Sequence, residues 1–186
     1  MMSPDPVSRP RPRFKRKQET VTTSIDPESL FGDLPRTPHG VGALWSHQAD
    51  QLRTYSAKHR ETPDVALELP TGSGKTLVGL LIAEWRRRAL GQRVLYACPT
   101  TQLARQVLLK AQQQGIHPVL LIGTHWKWPA ADRTRYTNGS AIAITTYSSI
   151  FNSRPQLGDA HTVLLGLHPL RLTCGVDSFR PRMRPG

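Results

Sequence analysis

The run Leu69-Pro70-Thr71-Gly72-Ser73-Gly74-Lys75-Thr76 carries the residue types that hold a chain of phosphates. Gly72 and Gly74 let the backbone turn tightly and approach an anion, so that Thr71, Gly72, Ser73 and Gly74 point successive N–H groups into one cup. Lys75 adds a charge that reaches the β and γ phosphates, and the Thr76 hydroxyl can hold Mg²⁺. The strict pattern has glycine where this chain has Leu69, so the loop is a relaxed version of it.

Such a cup needs a strand to deliver it and a helix to leave from it. The helix N-terminus supplies unpaired N–H groups and the positive end of the dipole. Residues 65–69 form a β-type run ending at Pro70, and Lys75–Leu90 has helical spacing stopped by Gly91. The unit recurs. Residues 93–98 read as strand, 101–114 as helix closed by Gly115, 118–122 and 141–145 as strands, Tyr147–Asn152 as a short helix, and 162–165 as a fifth strand. Upstream, Ser46 is placed to cap a short helix. Strands alternating with helices predict an α/β fold with a doubly wound parallel sheet, its ligands at the carboxyl ends of the strands.

The chain has 186 residues, room for one domain of ordinary size, and a formal net charge of +12 from 25 Lys and Arg against 13 Asp and Glu. A polyanionic partner fits that balance. Residues 1–38 read as a disordered basic Pro-rich arm holding Arg9, Arg11, Arg13, Lys15, Arg16 and Lys17, residues 39–165 as the folded domain, and 166–186 as an irregular basic tail. Cys98 and Cys174 form neither a metal-ligand cluster nor a disulfide framework, and both are expected as free thiols. The longest apolar stretch, 77–83, is too short to span a membrane, and no secretory signal is visible, so a cytoplasmic location without membrane contact is expected. Oligomeric state is not legible.

The motifs together resemble those of superfamily 2 helicases and translocases of the DEAD/DEAH type, especially the group of restriction-enzyme subunits and helicase/UvrB N-terminal domains. Leu69 to Thr76 resembles their motif I. Cys98-Pro99-Thr100-Thr101-Gln102-Leu103-Ala104-Arg105-Gln106 resembles motif Ia, and Ile144-Thr145-Thr146-Tyr147-Ser148-Ser149-Ile150 the following strand-end motif. The resemblance spans residues 42–165. It implies a RecA-like domain that uses ATP and Mg²⁺. It also implies contact with a nucleic-acid backbone, DNA ahead of RNA, through Pro99, Thr100, Thr101, Gln102, Arg105, Thr146, Tyr147 and Ser148. Gln48 matches the glutamine that recognises adenine in this family, with Trp45 and His47 beside it where an aromatic and an arginine are usual. The hydroxyl and amide types agree, since neutral donors at strand ends suit phosphates without reading bases. Trp126 and Trp128 have rings that could stack on bases, but in a loop near Pro129 they read first as local packing.

One family feature is missing. Relatives end the fifth strand with an acidic pair that supports Mg²⁺ and the attacking water, whereas here Leu164-Leu165 runs into Gly166-Leu167-His168-Pro169. Asp159-Ala160-His161 precedes the strand and cannot cap its far end. The change at Gly166 predicts a sheet incomplete at its C-terminal side, in a truncated or frame-shifted product that binds ATP without efficient hydrolysis. The alternative is a non-enzymatic nucleotide- and nucleic-acid-binding fragment. A small phosphate-loop kinase would need a catalytic acid or lid arginines after the second strand, where Pro99-Thr100-Thr101-Gln102 stands.

Overall fold

The computed structural model describes residues 26–70, 72–166 and 172–175. Its strands are β1 (Asp64–Leu67), β2 (Val94–Cys98), β3 (Val119–Leu121), β4 (Ala143–Thr146), β5 (Thr162–Gly166) and β6 (Leu172–Gly175), in one sheet ordered β1-β6-β5-β2-β4-β3. β5, β2, β4 and β3 are parallel neighbours. Parallel neighbours require crossovers. These contain α3 (Lys75–Leu90), α4 (Thr101–Gln113), α5 (Ala130–Thr137), α6 (Tyr147–Asn152) and α7 (Arg154–Leu157). β6 is antiparallel to both β5 and β1, so β1 keeps the direction of the parallel set. The carboxyl ends of β1 to β5 therefore open on a single edge.

Side-chain alternation splits the core into two layers. Val94, Tyr96 and Cys98 of β2 join Val65, Leu67, Ile144 and Leu164 under α3 and α4. Leu95, on the opposite side of the same strand, joins Val119, Leu121 and Ala143 with Trp128, Tyr136 and Leu157. Both faces of the sheet are thus covered, as a doubly wound fold requires. α3 is buried continuously from Leu77 to Arg86. Arg86 is fully buried and donates to the Tyr55 hydroxyl, to Arg60 O at 2.7 Å and to Gln92 Oε1 at 3.1 Å. Glu84, 2% exposed, is clamped by Arg87 at 2.7 Å and Arg88 at 2.5 Å.

Three expectations are corrected. Residues 26–38 are not part of a disordered arm: α1 (Pro27–Asp33) starts at an Asp26 capping box with Ser29 and buries Leu30 and Phe31 against the core, with Leu34 just beyond it. Burial of three large apolar side chains outweighs the polar composition of that stretch. The segment 166–186 is not wholly irregular either, since Gly166 closes β5 and β6 forms between β1 and β5. In α2 (Ser46–Lys58), Ser46 is the first helical residue and Trp45 the cap, with the Gln48 side chain accepting the Trp45 N–H at 3.1 Å. The rest of the basic arm, and Leu167 to Arg171, lie outside the described residues.

Candidate functional site

At the end of β1 the chain runs through buried Leu69 and exposed Pro70 into the glycine turn; Thr71 lies outside the described residues. Gly72 and Gly74 have φ of 81° and 79°, the left-handed region that side chains resist. Between them Ser73 is 4% exposed, its hydroxyl donating to Pro70 O at 2.6 Å and its N–H to the same oxygen at 3.2 Å. Gly74 is the N-cap of α3 and offers no side chain to it, so the first turn of the helix faces the cup with its amide groups. Lys75 and Thr76 open the helix, both half-buried.

Gln48 braces this turn from α2. Its Nε2 donates to Ser73 O at 2.8 Å, and His47 Nε2 lies 3.1 Å from the same oxygen. A Cβ on Gly74 would sit 2.2 Å from Gln48 Nε2, so the turn and α2 meet with no room for a side chain. Beside the brace lies a cavity of about 230 Å³ lined by His39, Val41, Trp45, Gln48, Leu77 and Gln113, among others.

Further along the same edge, Tyr96 hydrogen-bonds the Thr76 side chain. Burial, ahead of neighbouring Cys98 and Tyr147, holds the Tyr96 phenol above its ordinary range, and the Thr76 bond pulls weakly the other way. Burial also pushes the Cys98 thiol up to about 12, and burial and then Cys98 raise Tyr147. The Tyr147 hydroxyl donates to Gly166 O at 3.1 Å, and a Cβ on Gly166 would meet the Tyr96 ring at 3.2 Å. Two phenols and a thiol, all neutral at physiological pH, therefore surround the end of β5. Among the described residues no group of three His, Cys, Asp or Glu is placed to hold a metal ion.

The residues expected on nucleic acid divide in two. Pro99, Thr100, Thr101, Gln102 and Arg105 are exposed after β2, with the Thr100 hydroxyl accepting the Leu103 N–H at 3.1 Å as the α4 cap. After β4, Thr146 is buried and caps α6 through the Ser149 N–H at 3.2 Å, while Tyr147 turns along the edge toward Gly166. Ser148 alone of that trio is exposed. Sequence reasoning missed His47 and Tyr96. His47 adjoins Gln48 and was within reach; Tyr96 reads as an ordinary strand residue until β2 is aligned with Thr76.

The DEAD/DEAH box helicase family model matches residues 48–165, well over half of the chain. No curated protein and no solved structure matches. The layered sheet is consistent with the RecA-like domain of that family. No described helix is long and apolar enough to cross a membrane.

Proposed function

The chain belongs to the DEAD/DEAH box helicase family, and on that premise we propose that it is an ATP-binding lobe that grips a nucleic-acid backbone, DNA ahead of RNA. The observation that carries this is the turn at Gly72 and Gly74, two left-handed glycines around a buried serine at the start of the longest helix. Backbone N–H groups and the dipole of α3 favour the triphosphate there, and Lys75 adds a charged donor. Mg²⁺ would come with the phosphates and neutralise part of their charge, with the Thr76 hydroxyl as its protein contact. Motif order over Leu69 to Thr76 and Cys98 to Gln106 supports a restriction-subunit-like member of the family.

Gln48 supports an adenine base over others. An amide has two N–H donors and an oxygen with two lone pairs. Ser73 and Trp45 use one of each. One donor and one acceptor remain, the complement of adenine N7 and its amino group. The adjoining cavity is where a base attached to phosphates in the cup would lie. Exposed Thr101, Gln102, Arg105 and Ser148 supply donors for phosphates of a strand laid across the ends of β2 and β4.

Turnover is not expected of this arrangement. β5 ends at Gly166 among neutral groups where water activation requires a carboxylate, and Leu167 and His168 follow in sequence. The same feature favours the second reading, a nucleotide- and nucleic-acid-binding protein without catalysis. The test is Mg-ATP binding and hydrolysis by the purified chain, with and without single-stranded DNA, against Lys75→Ala. Binding lost in Lys75→Ala supports the proposal; binding indifferent to it sinks the phosphate-loop reading, and DNA-stimulated turnover sinks the non-catalytic one.

A further inference from the structure

Trp126 and Trp128 are two residues apart and have opposite fates. Trp128 is 4% exposed, sits in the second core layer, and its Nε1–H donates to Ile122 O at 2.9 Å. Trp126, on the short 3-10 turn His125–Lys127, is 71% exposed. The His125 ring lies between them, edge-on to Trp126 at 5.1 Å and to Trp128 at 6.4 Å. The exposed indole is thus carried on a turn pinned into the core on its C-terminal side, which limits the freedom a loop residue usually has. A large apolar ring held in water is the informative kind of exposure.

Its position is specific. The turn follows β3, whose neighbour β4 leads into α6, and the Ser149 hydroxyl ties the two loops by donating to Gly123 O at 3.4 Å. On α6 a second ring, Phe151, is 78% exposed. Both therefore stand on the edge that carries Thr101, Gln102 and Ser148. The surroundings are electropositive: between Glu84 and Asp159 the one carboxylate is Asp132, which faces Arg135 at 3.9 Å. Arg105, Lys127 and Arg133 are exposed and have no ion-pair partner among the described residues.

We propose that Trp126 is a base-stacking platform for single-stranded nucleic acid, extending the backbone track beyond the end of β4 to β3. The proposal rests on the nucleic-acid reading above and adds a contact to base faces, which phosphate donors do not make. An unpaired base has two open faces, so an indole recognises it without regard to sequence. A duplex conceals those faces, so the platform favours single strands.

The test compares binding of the full chain, at fixed salt, to oligothymidylate and to an abasic oligomer of the same length and charge. Wild type should prefer the thymidylate by roughly tenfold. Trp126→Ala should abolish that preference and leave abasic binding unchanged, while Trp126→Phe keeps most of it. Equal thymidylate binding by wild type and Trp126→Ala, with abasic binding intact, overturns the platform and spares the backbone track. If neither oligomer binds, the nucleic-acid reading and the platform fall together.

Discussion

The ends of β1 and β5 stand two strand positions apart, roughly 10 Å across the sheet, and are built from opposite materials. The end of β1 is backbone, with glycines at φ of 81° and 79° and an uncapped helix start that offers amide dipoles. The end of β5 is side chain: among the described residues, Tyr96 and Tyr147 stand against a glycine. Holding phosphate needs donors, which any backbone has once glycines fold it inward. Activating water needs a carboxylate, which only a particular residue supplies. The two capacities are therefore separable within one fold, and the proposed function gives this chain the first.

The sharpest way to break the comparison is Lys75→Ala. Removing a charged donor from phosphate should weaken Mg-ATP by about 2–3 kcal/mol, roughly a hundredfold; calorimetric titration showing unchanged affinity would make the turn a mere connection. Next comes Gly74→Ala, which forces a side chain into the left-handed region against Gln48 and should lower unfolding stability by about 1–2 kcal/mol in urea. An unaltered midpoint would mean that the turn is relaxed. Gly166→Asp works from the other side, placing a carboxylate beside Tyr96 and hence near Thr76. It should add about 1 kcal/mol of Mg²⁺ dependence to nucleotide affinity, read by titration with and without chelator.

The smallest expected effect is on Cys98. With its thiol held up at about 12 by burial, it stays protonated at neutral pH. In a Cys174→Ser background, an aromatic disulfide reagent should find no reactive thiol until denaturant is added. Linkage gives the sign. Cys98, and Tyr136 raised to about 12 mainly by burial, have folded pKa values above their unfolded ones. Their contribution to stability is whole below about pH 9 and is lost as pH climbs toward 12. Urea midpoints that hold steady across that window would show these groups to be solvated.

What could be read beforehand follows from how local the signal is. α3 was legible from Lys75 to Leu90 because a buried apolar run and Gly91 define it within itself, and the tight turn before it because Gly72 and Gly74 encode it by type. α1 has its signal in the sequence, since Asp26-Pro27-Glu28-Ser29 is a helix start with Leu30 and Phe31 behind it, but a polar, Pro-containing stretch masks it. β6 left none, since four residues, Leu172-Thr173-Cys174-Gly175, have no periodicity and their direction is set by the slot between β1 and β5. The bracing of Ser73 by Gln48, and the split between Trp126 and Trp128, depend on which side of a turn meets the core, and spacing does not contain that.

β6 also sets an order of events. β1 has no other strand neighbour among the described residues, and Leu67 pairs opposite Leu172. During synthesis on the ribosome, the strand that carries the phosphate turn emerges about a hundred residues before its partner. At cellular elongation rates that is a wait of roughly 5–20 s. For that interval the nascent chain exposes an unsatisfied strand edge next to its glycine turn, which makes this the stage at which a chaperone would have the most to protect.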